Sequence, residues 1–206
     1  MKALEPLDFS WPDCENELKE FRVLLDSHHD LSERADILPF FRKRRNLSSF
    51  ISTYHPHLLT RSLIAYEYPL YGDFSTDLLV GDARASAYCF VEFEDATQSS
   101  VFQDGGRSVP YWSQRFLSGY SQLVDWFWKL DDFRATADFT SRFGNRSAQF
   151  AGFLVVGRSR YVRPVDLERL VWWRNSVRIS NQSVFCLTYD ELCEGLEMRM
   201  AASRWD

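Results

Sequence analysis

The chain has 206 residues and a formal net charge of −5 at pH 7, and 45% of its residues are hydrophobic, with an aromatic share of 16%. This length suits one sizeable domain with a substantial buried core, and the composition excludes a largely disordered protein. The negative net charge argues against non-specific binding of nucleic acid over the whole surface, so a polyanion would have to bind a local basic patch.

The four cysteines, Cys14, Cys89, Cys186 and Cys193, are widely spread and show no CxxC spacing. This pattern predicts reduced thiols, and the absence of a signal-peptide pattern favours a cytoplasmic protein. No apolar run approaches the roughly 18 to 20 residues needed to cross a bilayer, so no membrane partner is expected.

An N-terminal arm is predicted over residues 1–30, ahead of a single domain over residues 31–206. Prolines and aromatic residues occur without periodicity in residues 1–14, which indicates an extended segment that lies on the body of the protein. Residues 15–26 carry apolar side chains that are compatible with a strand or with a short helix, and this choice stays open.

Two short helical segments are predicted next. Ser32 stands ahead of Glu33 and of apolar residues at helical spacing, so we expect a capped helix that is bent or interrupted at Pro39. Residues 47–54 favour a second helical piece. The basic cluster at residues 42–45 offers a surface for a polyanion, with an ordinary solvated surface as the alternative.

Three strands are predicted in the middle of the chain. Residues 62–70 and 74–80 are strand-like runs that a connection of hairpin length separates, and residues 88–93 form the third strand after a turn at Gly81-Asp82. The polar, glycine-bearing segment 95–110 is interpreted as a mobile loop beside the strand ends.

The longest predicted helix covers residues 112–130, where apolar residues recur at steps of four and three and must face a core. The continuous apolar run at 150–157 indicates a buried central strand. A strand at 184–187 lies between a helix over 164–177 and a final helix that starts at 189. This order predicts an α/β fold with a mixed sheet sandwiched between helices.

Acidic residues on two neighbouring predicted strands form the candidate site. Alternate side chains of a strand share a face, so Asp77 lies on the same side as Asp73 and Ser75. By the same rule Glu92 and Glu94 share a face. Charges that point inward from apolar strands are costly unless a metal ion or hydrogen bonds compensate them. These acids suit a hard divalent cation such as Mg²⁺, which can activate a water for attack on a phosphodiester. The alternative is that Asp77 caps a turn and Glu94 points to solvent.

Several motifs carry a resemblance to a known family. They are FSTDLL at 74–79, FVEFEDA at 90–96, GYSQLVDW at 119–126, FLVVGR at 153–158 and LTYDEL at 187–192. In their order and spacing they resemble the nuclease domain of the Shedu antiviral defence family, a branch of the PD-(D/E)xK, or restriction-endonuclease-like, superfamily. The resemblance covers roughly residues 33–196 and implies a three-layer α/β/α fold.

The resemblance also implies an activity and a set of site residues. The activity is metal-dependent hydrolysis of DNA phosphodiesters in prokaryotic antiviral defence, with Mg²⁺ or Mn²⁺ as the cofactor. Asp77 and Glu92 are implied as metal ligands, with the backbone carbonyl of Phe93 as a further one. Glu33 matches a helical acid that many members add, although the helix dipole alone favours an acid there. Gln122 matches a helix glutamine near the metal water, with an exposed polar residue as the alternative. DNA is the implied partner, together with a second copy of the chain or a separate defence protein.

Glu94 departs from the superfamily pattern, which has a lysine two residues after the glutamate. A carboxylate cannot supply the positive charge with which that lysine orients or activates the attacking water. Three alternatives follow. Glu94 binds a second cation or acts as a base, or a basic residue elsewhere such as Lys129 replaces the lysine. Otherwise hydrolysis has been lost, and the chain is an inactive nuclease-fold module that binds nucleic acid or a protein partner.

Three other features of the sequence are weaker indications of a binding site. His55 and His57 flank a proline in a polar turn, which favours an ordinary turn over a transition-metal site. Trp172-Trp173 lies in an arginine-flanked helix, where packing against the sheet is favoured over base stacking. The segment from Arg134 to Arg178 is rich in arginine and offers a second local basic surface.

Overall fold

A central sheet organises the protein in the computed structural model, which describes residues 3–106, 108–180 and 182–203. The strands of these residues are, in chain order, β1 (Glu5–Pro6), β2 (Leu63–Leu70), β3 (Phe74–Asp82), β4 (Ala87–Phe93), β5 (Phe102–Gln103), β6 (Tyr111–Trp112), β7 (Gln149–Val155) and β8 (Ser183–Leu187). Six of them form one sheet in the spatial order β1-β2-β3-β4-β7-β8, and β5 pairs with β6 separately.

Helices precede, interrupt and follow the sheet. The α-helices of the described residues are α1 (Trp11–Ser27), α2 (Leu38–Arg42), α3 (Arg45–Phe50), α4 (Gln114–Phe133), α5 (Ala137–Phe143), α6 (Pro164–Ser176) and α7 (Tyr189–Ala202). A π-helical turn at Glu33–Ile37 leads into α2, and 3₁₀ turns lie at Ile51–Tyr54 and Ser159–Tyr161.

The sheet is mixed. β1, β2, β3 and β4 pair antiparallel, and β7 joins β4 and β8 in parallel. The helices α1, α2, α3 and α7 pack on one face, against residues such as Val80 and Cys89. The helices α4, α5 and α6 pack on the other face, against Leu79 and Phe90. Alternate residues of one strand thus enter opposite layers. This three-layer arrangement confirms the predicted α/β fold.

The N-terminal region differs from the prediction. The segment predicted as extended over residues 1–14 is helical from Trp11, and the undecided segment 15–26 belongs to the same helix. Pro12 lies in the first turn of this helix, where a proline is favourable because its missing N–H would have no helical partner. The apolar face of α1 is buried in the core at Cys14, Leu18, Phe21 and Leu25. Residues 1 and 2 lie outside the described residues, and the division into an arm and a domain stays a prediction.

Most other elements agree with the sequence, with shifted ends. The longest helix begins at Gln114 rather than 112, because the Ser113 hydroxyl caps it by accepting a hydrogen bond from the Phe116 amide at 2.9 Å. The turn that leads into β4, the third predicted strand, comes after Asp82 rather than at Gly81-Asp82. The Asp82 carboxylate accepts bonds from the turn amides of Arg84 and Ala85 at 2.9 and 3.1 Å.

Three further expectations are resolved by the fold. The helix predicted to be interrupted near Pro39 consists of the π-helical turn followed by α2, which confirms the interruption. The four cysteines are free, as predicted, and the structure buries all four. Helix α5 was missed, because its seven residues are too short to show a helical period. In the described part of the chain, no helix combines the length and apolar character that crossing a bilayer requires.

Candidate active site

The strands β3 and β4 separate at one end of the sheet, and Asp77 lies where they part. Their pairing ends at Leu78 opposite Val91, although β3 continues beside β2. Beyond that point the Phe93 amide donates a hydrogen bond to the Asp77 carboxylate, with 2.8 Å between Phe93 N and Asp77 Oδ2. Asp77 therefore bridges two strands and does not cap a turn.

The side chains predicted to form the site lie in one cleft. The cleft has a volume of about 600 Å³ and opens where β3 and β4 part. Its lining includes Glu33, Asp77, Glu92, Glu94 and Gln122. These residues come from the π-helical turn, from both strands and from α4. The main chain of Phe93 lies between the two glutamates, so the structure brings every predicted site residue to one place.

Glu92 is the most perturbed acid of the cleft. Its residue is only 7% exposed, and burial, reinforced by the charges of Asp77 and Glu94, raises the pKa of its carboxyl to about 10. A hydrogen bond from Gln122 opposes this shift. Gln122 is thus a direct partner of Glu92 and not merely an exposed polar residue.

Asp77 is perturbed in the same direction. Burial raises the pKa of its carboxyl to about 6, the Phe93 amide opposes this shift, and the charge of Glu33 adds to it. Among the described residues, ion pairs reach Glu33 and Glu94 but neither Asp77 nor Glu92. Glu92 is thereby buried, and Asp77 half-buried, without a cation in direct contact among the described residues, although the charge of Arg42 opposes the rise in the pKa of Asp77.

This donor set fits a hard divalent cation. Carboxylate and carbonyl oxygens are the ligands such ions prefer, and a bound cation would supply the compensation that Asp77 and Glu92 lack. In the described residues, no three His, Cys, Asp or Glu side chains already stand together as a metal-binding cluster. A cation would therefore be held by Asp77 and Glu92 with a backbone carbonyl, such as that of Phe93, and water.

Glu94 faces inward. Its residue is 3% exposed, which excludes the alternative that it points to solvent. The guanidinium of Arg115 donates a hydrogen bond to it, with 3.1 Å between Nη1 and Oε2. Burial raises the pKa of the Glu94 carboxyl to about 7, and the charge of Arg115 opposes the shift.

Arg115 also contacts two further acids. Its Nη1 lies 3.5 Å from Glu33 Oε2, and its Nη2 lies 2.8 Å from Asp95 Oδ2. Sequence reasoning missed this arginine. The available signal was its spacing, since Arg115, Ser118 and Gln122 are separated by three and four residues and share one face of α4.

Helix α4 approaches the site closely because of a glycine. A Cβ atom placed on Gly119 would lie 2.6 Å from Leu154 Cδ1 and 3.1 Å from both Cγ and Oε1 of Glu94. A larger residue would push the helix away from the strand. The absence of a side chain at this position therefore brings Arg115 and Gln122 within reach of the strand acids.

A comparison of the sequence with known protein families identifies the family of the chain. Residues 30–193 match the family described as "Shedu protein SduA, C-terminal". The chain belongs to the Shedu family. The matched residues include every acid of the cleft as well as Arg115 and Gln122. No curated protein matches the chain. Membership of the Shedu family suggests a role in antiviral defence.

Lys129, the predicted substitute for the missing lysine, does not line the cleft of this Shedu chain. It forms an ion pair with Asp73, in the connection between β2 and β3. A helix rises about 1.5 Å per residue, so Lys129 lies roughly 10 Å beyond Gln122 along α4. Asp73 itself precedes β3 and does not line the cleft that contains Asp77.

The predicted basic surfaces of the Shedu chain are largely neutralised by ion pairs. In the cluster at residues 42–45, Arg42 pairs with Glu67, and two other arginines pair with acids of the N-terminal region. In the segment from Arg134 to Arg178, six arginines pair with acids: Arg134, Arg142, Arg158, Arg163, Arg169 and Arg174. Much of this arginine content is therefore already paired with acids, mostly within three or four residues along the chain.

The remaining candidates behave as ordinary structural residues. His55 Nδ1 accepts a hydrogen bond from the His57 amide at 3.1 Å, as in a turn. Trp173 packs edge to face against Trp112 and Tyr120, which lie on β6 and α4 and not on the central sheet. Trp172 is 65% exposed on the outer side of α6, so the predicted packing is wrong for this residue.

Proposed function

We propose that this Shedu family chain is a divalent-metal-dependent DNA endonuclease of antiviral defence. The observation that supports the proposal is the pair of half-buried Asp77 and buried Glu92 at the point where β3 and β4 separate. Two neighbouring carboxyl groups with raised pKa values, in an open cleft and without an ion pair among the described residues, offer oxygen ligands to a catalytic cation.

Asp77 and Glu92 would hold Mg²⁺ or Mn²⁺ with the carbonyl of Phe93, and Glu33, which lines the same cleft from the π-helical turn, would add negative charge without being a direct ligand. When bound, the cation supplies Lewis-acid stabilisation of the charge that develops on the phosphoryl oxygens. Gln122, through its bond to Glu92, would keep that carboxylate in one orientation.

Glu94 would serve as the base. As the oxygen of a water molecule bonds to phosphorus, one proton of that water passes to Glu94. The bond between phosphorus and the leaving sugar oxygen breaks, and this oxygen takes a proton from solvent. A pKa raised to about 7 suits a group that must accept a proton near neutral pH.

The test is Mg²⁺-dependent cleavage of plasmid DNA by the purified chain and by the double variant Asp77→Ala, Glu92→Ala. The double variant is expected to lose cleavage. Asp73→Ala is the matched control, because this acid lies on the same hairpin but pairs with Lys129 outside the cleft. Unchanged cleavage by the double variant would contradict the assignment.

A second function has one specific observation in its favour. Glu94 stands where the superfamily has its lysine, which permits a nuclease-fold module that binds nucleic acid or a protein partner without hydrolysis. Titration with Mn²⁺ separates the two. No binding at the Asp77 and Glu92 pair, together with retained binding of DNA or protein, would favour the module over the enzyme.

A further inference from the structure

We propose that Arg115, on helix α4, supplies the positive charge that the superfamily pattern assigns to the lysine at the position of Glu94. Arg115 would donate hydrogen bonds to the phosphate that is cleaved. This inference rests on the proposed nuclease function and adds to it a catalytic residue that comes from a different element of the fold.

Arg115 is held in a fixed position by acids that are themselves anchored. Its guanidinium contacts Glu94, Asp95 and Glu33 at 3.1, 2.8 and 3.5 Å. The carbonyl of Glu94 accepts a hydrogen bond from the buried Tyr189 hydroxyl at 2.7 Å. The Asp95 carboxylate accepts one from the Glu33 amide at 2.7 Å. A guanidinium with several fixed partners is oriented before any substrate arrives, which is what electrostatic catalysis requires.

Arg115 is also accessible from the cleft. Its side chain is 47% exposed although the side chain of its partner Glu94 is only 4% exposed. Arginine carries five donors in a planar fork that matches phosphate, so the contacts with carboxylates leave donors for a ligand in the cleft. Its helix reaches this position because Gly119 allows close approach to Glu94.

The other cations of the cleft are less suitable. Arg34 and Arg42 also line it, but they come from the π-helical turn and α2. The ion pair of Arg42 is with Glu67, at 2.5 Å, and not with Glu94. Within the described residues, the ion pair to Glu94 comes from Arg115. Arg115 is therefore the cation adjacent to the residue that replaces the lysine.

The experiment compares single-turnover cleavage of plasmid DNA by the full chain, Arg115→Ala, Arg115→Lys and Arg84→Ala. Arg84 is exposed in the turn between β3 and β4, at the opposite end of β4 from Glu94, and serves as the control. Mn²⁺ affinity is measured in parallel by electron paramagnetic resonance, and folding is checked by thermal melting.

We expect Arg115→Ala to reduce the cleavage rate by about 100-fold, the size of effect seen when one fixed donor to a developing charge is removed. Its Mn²⁺ affinity should not weaken, since Arg115 is a cation and not a ligand. Arg115→Lys should recover part of the rate, low concentrations of guanidinium should rescue Arg115→Ala, and Arg84→Ala should cleave like the unaltered chain.

Two outcomes would overturn the inference alone while the nuclease function stands. One is wild-type cleavage by Arg115→Ala. The other is a loss of rate that only follows the loss of folded protein, without rescue by guanidinium. If Arg115→Ala does not fold, Arg115→Gln keeps hydrogen bonding without the charge, and the same loss of rate with undiminished Mn²⁺ affinity is expected; wild-type cleavage by Arg115→Gln would overturn the inference. Absence of cleavage by the unaltered chain would instead overturn the proposed function, and the inference with it.

Discussion

The Asp77 carboxylate accepts a hydrogen bond from the Phe93 amide at 2.8 Å, at the place where the backbone pairing of β3 and β4 has ended. This contact fixes one acid of the cleft against the strand that carries Glu92. Neither Glu92, which is buried, nor Asp77, which is half-buried, forms an ion pair among the described residues. Carboxyl groups held away from water without an ion pair lower the stability of the fold, and the first three of five predictions start from them.

The stability of the metal-free protein should fall as the pH rises. The pKa of Asp77 is raised from 3.8 to about 6, and that of Glu92 from 4.5 to about 10. Over these ranges the folded chain binds more protons than the unfolded chain, so the contribution of each protonated acid is lost as the pH rises through its folded pKa. Urea unfolding in the presence of a chelator, between about pH 5 and 9, measures this slope.

Glu92→Gln should flatten that slope and stabilise the metal-free protein near neutral pH by about 1 to 2 kcal/mol, because an amide needs no proton uptake on folding, whereas Glu92 is ionised in the unfolded chain and protonated in the folded one. Glu168→Gln is the control, since Glu168 is an exposed acid on α6. A free energy of unfolding that rises with pH, or an equal effect of both substitutions, would show that the buried acids are already compensated.

Divalent cations should stabilise the folded chain and release protons. Binding of Mn²⁺ requires the deprotonated forms of Asp77 and Glu92, whose pKa values are raised to about 6 and about 10. Affinity should therefore increase with pH, and the melting temperature should rise with the concentration of Mn²⁺. Calorimetry in buffers of different ionisation enthalpy counts the protons. Asp77→Asn should lose the thermal shift and Asp73→Asn should keep it; equal shifts would place the cation elsewhere.

Gly119→Ala should push helix α4 away from the strand that carries Glu94. The added Cβ would lie 2.6 Å from Leu154 Cδ1 and 3.1 Å from the Glu94 side chain. Overpacking typically costs about 1 to 3 kcal/mol, against a gain of about 1 kcal/mol in helix propensity, so a net loss of about 1 kcal/mol is expected. Cleavage should fall further, since Arg115 moves with the helix. Ser121→Ala is the control, because Ser121 lies on the exposed side of α4 and its substitution raises helix propensity without overpacking. Comparable stability of the two variants would indicate that the helix shifts freely.

Glu67 should tolerate glycine better than alanine. Its φ is +49°, in the left-handed region that is unfavourable for residues with a Cβ. Both substitutions remove the ion pair with Arg42, so their difference isolates the backbone conformation. Glu67→Gly should be more stable than Glu67→Ala by about 1 kcal/mol in denaturant unfolding. The reverse order would mean that the strand relaxes out of this conformation once the side chain is shortened.

The elements that could be predicted from the sequence are those with a strong local signal. The stripe of α4 is buried at Phe116, Leu123, Phe127 and Leu130, as its spacing requires. Helix α1 was undecided, because prolines and aromatic residues obscured a helical pattern that only its burial against the core makes clear. The acids of the cleft could be predicted because alternation along a strand is a local rule, and the family motifs pointed to the same residues.

The sequence by itself determined the layers of the fold, the strands that carry Asp77 and Glu92, and the absence of a lysine at position 94. The tertiary structure decided what stands beside Glu94. Arg115 is 21 residues away in sequence, and Glu33 and Asp95 are 62 residues apart. No local period links such residues, since they meet only where the strands part and a glycine lets α4 come close. Long-range packing, and not local pattern, assembled the charges of the site.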